Sequence, residues 1–291
     1  MATDDVVLIT GASSGFGRLT AETLTGAGYR VAAGMRDVTG RNAAAAAALP
    51  SAAVELDVQS QDSVDAAVAT VLDRYGRIDV IVHNAGHMVL GPAEAFSPEE
   101  YAALYDVNVL GAQRVNRAAL PHLRTQGSGL LVWVGSSSTR GGHPPFLAPY
   151  FAAKAAMDAL AESYAGELIR FGIDTTIVVP GAFTSGTNHF AHAGTPADGD
   201  RERAYDERYG RLRAEIGDRL AALIPPDSEA QSVADEIRRV IDLPAGERPF
   251  RTHIDPSRDG SAVVSAVADR IRHEFYHRIG IDDLLSVHAT I

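Results

Sequence analysis

Short runs of consecutive β-branched and aliphatic residues recur along the chain, and Ala- and Leu-rich stretches of helix length separate them. The runs are VVLIT (6–10), RVAAGM (30–35), AAVELDV (52–58), IDVIVH (78–83), LLVWVG (130–135) and DTTIVVP (174–180). A strand that is apolar on both faces is covered on both faces, and strands that alternate with helices pair in parallel. The pattern predicts an α/β fold, a doubly wound parallel sheet with helices on each side. The six alanines Ala43 to Ala48 read as a surface helix and not as a linker, because alanine is the strongest helix former.

Between Thr184 and Asp227 the alternation stops and a polar stretch with Gly and Pro (SGTNHFAHAGTPADGDRERAYDERYG) takes its place. An interruption of that length inside a domain is commonly functional, so residues 184–227 are expected to form a lid. A helix near Glu229–Ile241, a strand around Pro249–Ile254 and a helix from about Gly260 to Arg278 follow. Residues 1–255 are thus expected to form one domain of Rossmann type, and residues 256–291 a C-terminal helical extension of it. No internal repeat is visible.

The chain has 291 residues, 46% of them hydrophobic, which is ample for a large core. Its formal charge of -11 is spread along the chain and no Lys/Arg-rich run occurs, so neither nucleic acid nor an anionic membrane is an expected partner. The absence of cysteine excludes disulfides and thiolate chemistry. The first strand begins at Val6 and no apolar stretch reaches the length of a membrane span, so the expected location is cytoplasmic.

The first strand ends in T-G-A-S-S-G-F-G, Thr10 to Gly17, and a helix follows. Glycines 11, 15 and 17 allow a tight turn and close backbone approach. The helix N-terminus beyond them offers unpaired N–H groups and a positive dipole end to a diphosphate, with Ser13, Ser14 and Phe16 in the same turn.

At this loop the chain resembles the short-chain dehydrogenase/reductase family, and later segments match that family in order from about Val6 to Gly181. Asp57-Val58 looks like the family's adenine-contacting pair, and His83-Asn84-Ala85-Gly86 is similar to its N-N-A-G motif with His in place of the first Asn. In a Rossmann site an acid at the end of the second strand selects NAD, whereas Arg there meets the 2'-phosphate of NADP. The acid position falls on Met35 and Arg36 follows, with Asp37 next to it, so NADP(H) is the expected cofactor. Arg18, just after the loop, either assists or faces water.

Tyr150 and Lys154 stand four positions apart on a helix entered after Pro149, so their side chains point the same way. A free phenol, with a pKa of about 10, is a poor base near neutrality, and an adjacent ammonium would lower it. In the family this pair transfers the proton, and the Lys also binds the nicotinamide ribose. Counting back thirteen positions, the family's spacing, gives Ser137 as the residue that holds the substrate oxygen. Ser136 and Ser138 flank it, so the register can slip by one. Asn108, in D-V-N-V-L-G, resembles the family's supporting Asn. Pro180-Gly181 resembles the turn beside the nicotinamide, where Phe183, Thr184 and Ser185 would meet the carboxamide.

The implied reaction interconverts a ketone or aldehyde and an alcohol. Met88, His143, Phe146 and Phe183 are the expected pocket wall, suited to a moderately large, partly apolar substrate such as a cyclic or aromatic ketone. The resemblance also implies a homodimer or homotetramer formed through helices at about 99–123 and 149–171. A non-catalytic NADP sensor would share the fold but has no need of the Asn, Ser, Tyr and Lys set.

One motif points elsewhere. HEFYHRIGIDD, residues 273–283, fits a zinc-protease pattern in its two His, its Glu and its Asp. That pattern needs a later Met-turn, yet Met1, Met35, Met88 and Met157 all precede it. Val264, Val267, Ile271 and Phe275 predict the buried stripe of this last helix, which leaves His273 and His277 facing away from it. His189 and His192 have no convincing partner ligands either, so no metal is expected.

Overall fold

The computed structural model describes residues 4–183, 186–187 and 192–286. The first part of the chain forms β1 (Val6–Thr10), α1 (Gly15–Gly26), β2 (Arg30–Met35), α2 (Ala43–Ala48), β3 (Ala52–Glu55), α3 (Gln61–Tyr75) and β4 (Val80–His83). Then come α4 (Pro98–Tyr105), α5 (Gly111–Gln126), β5 (Gly129–Val134), α6 (Ala148–Leu168) and β6 (Ile173–Pro180). The remainder holds α7 (Gly199–Ala204), α8 (Asp206–Ala221), α9 (Gln231–Asp242), β7 (Arg251–Ile254) and α10 (Ser261–Ile279). The described residues of segment 184–227, expected to form a lid, carry two helices, α7 and α8.

The strands make one seven-stranded sheet in the order β3-β2-β1-β4-β5-β6-β7, and every pairing is parallel. Strand side chains alternate between faces, so one run of residues feeds two cores. Val6, Leu8, Leu131 and Trp133 pack with residues of α3, α5 and α6 on one face. Val7, Ile9, Leu130 and Val132 pack with α1 and α9 on the other. All eight residues of β6 are buried, as a central parallel strand requires. The strand order reverses at β1 and β4, and this switch point opens a crevice beyond the strands' C-terminal ends.

Local signals set the helix starts. The Ser60 hydroxyl accepts from Ser63 N–H at 3.3 Å at the head of α3. Ser97 and Glu100 form a reciprocal capping box at the head of α4, with Pro98 in the first turn. Each such cap contributes about 1 kcal/mol.

The last helix departs from the pattern. Its expected buried stripe is exposed, Ile271 by 54% and Phe275 by 51%. The packed side instead carries Ser261 and Ser265, both buried, and then Arg272 and Tyr276. Arg272 lies 4.1 Å from the centre of the Phe250 ring, and Arg251 of β7 bridges Asp158 and Glu162 of α6 to Asp269 of α10. Because α10 lies beside α6 and not on a sheet face, it meets charged and aromatic side chains, so its apolar periodicity marks the outer side. His273 and His277 are exposed as well; His277 pairs with Asp282 at 3.0 Å, and Asp283 with Arg170 at 2.9 Å.

Candidate active site

A cavity of about 1150 Å³ occupies the crevice, running from the turn after β1 to the first turn of α6. At its nucleotide end Gly11, Ser13, Ser14, Gly15 and Phe16 form the wall. Gly17 lies behind them, where a Cβ would come within 2.4 Å of both Asn84 Nδ2 and the Gly11 carbonyl oxygen, so only glycine fits. Asn84 Nδ2 donates to the Thr10 and Gly11 carbonyls at 2.9 and 3.0 Å. The Thr10 hydroxyl accepts from the N–H groups of Asn84 and Ala85 at 3.0 Å and donates to the Val82 carbonyl at 3.2 Å. The segment after β4 thus laces the glycine turn in place, while Asn84, Ala85 and Gly86 still line the cavity. Ser14, at the head of α1, makes no side-chain cap, and the first-turn N–H groups fit an anionic diphosphate.

Met35 is buried where an acid would select NAD, and Arg36, Arg41, Asn42 and Gln59 surround that end of the cavity. Both nearby acids turn to the backbone. Glu55 accepts from Asp37 and Val38 N–H at 2.8 and 2.9 Å, and Asp37 accepts from Arg41 N–H at 2.7 Å. Two guanidinium groups, those of Arg36 and Arg41, thus stand at this end of the cavity. Asp57 and Val58 line the neighbouring wall. Pro180, Gly181 and Phe183 lie across the cavity, with the Phe183 ring edge-on to Phe16 at 5.5 Å. Thr184, Ser185 and His189 lie outside the described residues.

At the far end Tyr150 and Lys154 are both buried on the inner side of α6. Burial pushes the Lys154 ammonium down to about 8, and its Nζ donates to the Val134 carbonyl at 2.9 Å. Burial likewise pushes the Tyr150 phenol up to about 12, opposed by a hydrogen bond from the Ser136 hydroxyl. The expected lowering by Lys154 is therefore not what governs the phenol; desolvation is. Asn108 sits in a π-helical turn, Asp106–Leu110, between α4 and α5. Its amide donates to the Leu104 and His87 carbonyls at 3.0 and 3.1 Å, which fixes the side chain beside Gly86. A Cβ on Gly86 would lie 2.8 Å from Asn108 Oδ1 and 3.8 Å from Lys154 Nζ, so the three converge.

The turn after β5 carries the three serines. The thirteen-residue spacing points to Ser137, and Ser136, Ser137 and Ser138 all line the cavity there, the last two buried. Ser137–Thr139 form a 3-10 turn, and Ser136, its N-cap, accepts from Ser138 N–H at 3.3 Å. Ser138 hydrogen-bonds Ser136, Oγ to Oγ, at 2.7 Å.

Of the expected pocket residues, Met88, His143 and Phe183 line the cavity. Phe146 does not; its ring packs edge-on to Tyr209 of α8 at 6.1 Å, and its carbonyl accepts from Gly91 N–H at 2.8 Å. Segment 184–227 supplies Thr187, His192, Leu220 and Leu223 to the wall. Sequence reading missed His87, Phe151, Ser257 and Asp259, which line it too. None of these carries a motif, and only D-P-S-R-D-G, a turn-forming string, hints at the last two. Among the described residues, no helix is long and apolar enough to cross a membrane, and no group of three or more His, Asp or Glu could hold a metal ion.

Over residues 5–195 the chain matches the family model of the short chain dehydrogenases. It is 40% identical over 183 residues to human (Homo sapiens) 17-beta-hydroxysteroid dehydrogenase type 1, a match covering 60% of this chain and 55% of the human protein. This chain thus spans only about half the length of that relative. Among solved structures, a short-chain dehydrogenase from Streptomyces avermitilis is 31% identical with a TM-score of 0.74, over 96% of this chain and 98% of that one. A gluconate 5-dehydrogenase from Burkholderia cenocepacia J2315, in complex with NADP and tartrate, is 29% identical with a TM-score of 0.57, over 64% and 74% of the two chains.

Proposed function

The chain belongs to the short-chain dehydrogenase family, and on that premise we propose that it is an NADP(H)-dependent oxidoreductase interconverting a ketone or aldehyde and an alcohol. The observation that carries this reading is the meeting of Tyr150, Lys154 and Ser136 in the same cavity as the glycine turn and the uncapped head of α1. The nicotinamide, when bound, supplies or accepts a hydride at the substrate carbon. The chain's own residues do the rest. The glycine turn and α1 hold the diphosphate, and Arg36 with Arg41 meets the 2'-phosphate. The gluconate dehydrogenase's NADP complex supports that choice of cofactor.

Tyr150, with its phenol raised to about 12, is protonated at neutral pH and donates to the carbonyl oxygen during reduction. The Ser136 hydroxyl holds that oxygen and stabilises its developing charge. Lys154, ionised below about 8, places positive charge near the phenolate that forms, and Asn108 keeps the adjoining turn in position. Met88, Phe151, Phe183, Leu220 and Leu223 make much of the wall apolar, which supports a cyclic or aromatic ketone as substrate. The human relative, a hydroxysteroid dehydrogenase, points the same way. A cytoplasmic homodimer or homotetramer belongs to the same reading, supported by exposed Tyr105 and Leu110 at the junction of α4 and α5.

The test is NADPH oxidation with a panel of cyclic, aromatic and aliphatic carbonyl compounds, repeated with Tyr150→Phe. Turnover should fall by about 10²- to 10⁴-fold in the variant, the range for removal of a general acid. Full retention of turnover would sink the assignment.

A further inference from the structure

The turn that carries the three serines leaves β5 and is fastened to α6 on both sides of them. Before the serines, Lys154 Nζ donates to the Val134 carbonyl at 2.9 Å. After them, the Arg140 guanidinium donates to Asp158 Oδ2 at 2.9 Å and to the Glu162 carboxylate. Between these two points the turn is cross-bonded. Thr139 N–H donates to the Ser136 carbonyl at 3.1 Å, and the N–H groups of Arg140 and Gly141 donate to that of Ser137 at 3.1 and 2.7 Å. A displacement of Arg140 would therefore carry the serines with it.

Tyr150, Lys154 and Asp158 stand at i, i+4 and i+8 on α6, and all three are buried. The row that brings the phenol and the ammonium to the reaction end thus also presents, one turn further on, the carboxylate that takes Arg140. Asp158 is held from a second direction as well. Arg251 of β7, whose side chain is only 2% exposed, donates to both oxygens of Asp158 and to Glu162 at 2.9 Å. Its Nε lies 3.4 Å from Asp269 of α10, so β7 and the last helix fix the carboxylate from behind.

A buried ion pair is a poor source of net stability, because desolvation offsets the attraction. Arg140, Asp158 and Arg251 do not line the cavity, so their place is behind its wall. We propose that Arg140 is a positioning residue for the reaction: its pairing with Asp158 sets how far the serine turn stands from Tyr150 on the same helix. This role rests on the reading of Tyr150 and the serines given above.

The experiment compares Arg140→Gln with Arg248→Gln, reading kcat and KM for the best carbonyl substrate, the Kd of NADPH by fluorescence, and Tm. Arg248 pairs with Asp174 at 3.0 Å and is buried as deeply as Arg140, both side chains being 16% exposed. Asp174 lies near the start of β6, at the opposite end of the strand from the cavity, so Arg248 controls for the loss of a buried pair as such. Arg140→Gln should lose about tenfold in kcat, as a small misplacement of a reacting group does, with KM and the Kd of NADPH within about threefold. Arg248→Gln should keep kcat. Asp158→Asn should also lose kcat, and the double variant of Arg140→Gln and Asp158→Asn should lose no more than the worse single one, since both changes remove the same pair.

Removing Arg140 leaves Asp158 paired with Arg251, so the fold is expected to survive. Should Arg140→Gln melt below the assay temperature, Arg140→Lys replaces it. Lysine keeps the charge without the guanidinium fork, and kcat should still fall about threefold. Unchanged kcat in the folded Arg140 variant, an equal loss in Arg248→Gln, losses that multiply in the double variant, or NADPH affinity falling in step with kcat would each overturn the proposal. If Tyr150→Phe keeps full turnover, the reaction centre is misread and both proposals fall. If Tyr150→Phe is inactive while the Arg140 variant keeps kcat, only the positioning role is lost.

Discussion

At the nucleotide end of the cavity most of the wall lies within a few positions of a strand's C-terminal end: Gly11 after β1, Arg36 after β2, Asp57 after β3 and Asn84 after β4. At the reaction end the wall gathers Ser136, Tyr150, Leu223 and Asp259, from four separate segments between positions 136 and 259. The first end is built by sheet register, because parallel neighbours bring their ends to one level and each short turn follows from its strand. The second is built by packing between distant segments, which bring Ser136, Ser137 and Ser138 to one wall with Tyr150 and Asp259. Errors of reading should therefore collect at the second end, and substitutions there should act on rate more than on cofactor affinity.

The widest separation between the two ends comes from the serines. Ser136→Ala should lower kcat by about 10²- to 10³-fold, or about 3–4 kcal/mol, the cost of removing one donor to a developing oxyanion. Its NADPH affinity should barely move. A smaller loss in Ser136→Ala than in Ser137→Ala, measured side by side, would give the role to Ser137, at the thirteen-residue spacing.

A second probe is His83, buried at the end of β4 with Nε2 2.8 Å from Asn116 Oδ1 and its ring 4.4 Å from that of Trp133. Burial pushes its pKa down to about 4 from an ordinary 6.5. The unfolded chain binds a proton between those values that the folded one refuses, so this contribution to stability is complete above pH 6.5 and is lost as pH falls towards 4. The loss amounts to about 3 kcal/mol from that shift. His83→Asn should flatten the decline of Tm across pH 6.5 to 4, and an unaltered profile would show that the imidazole is not the group responsible.

Arg36→Ala probes the nucleotide end in the opposite sense. NADPH should bind about tenfold more weakly, the value of one exposed charge-assisted contact, while NADH binding and kcat at saturating cofactor stay level. Equal weakening of both cofactors would remove the 2'-phosphate reading. The smallest effect is expected on the outer side of α10, where Ile271→Ala should change stability by less than about 0.5 kcal/mol, as most surface substitutions do. A larger loss in Tm would show that this side is covered in solution.

Legibility followed the same division. The parallel sheet, its strands and the glycine turn were readable because continuous apolar runs and a turn of small residues suffice to specify them. Two amphipathic helices near the C-terminus show where this stops. In α9, Val233, Ala234, Ile237, Val240 and Ile241 are all buried against the sheet, as their spacing requires. In α10, spacing of the same kind marks the exposed side, because its neighbours are α6 and a cluster of arginines and carboxylates that periodicity cannot foresee. Phe146 failed in the same way: its pairing with Tyr209 depends on α8, a helix within the segment expected only to form a lid. Asp37 looked like a rival to Arg36 in sequence, and only the fold turns its carboxylate onto the Arg41 N–H.

The sequence by itself determined the alternation of strands and helices, the glycine turn after β1 and the i, i+4 pairing of Tyr150 with Lys154, since each depends on residues within one helix turn or one strand of each other. The tertiary structure decided what occupies the cavity's far wall, where Phe146 goes and which side of α10 is packed. Those outcomes depend on contacts between residues far apart in the chain, where the gain from a buried carboxylate, a cation over a ring or a shared hydroxyl is settled by which segment arrives beside it, and no local spacing records that arrival.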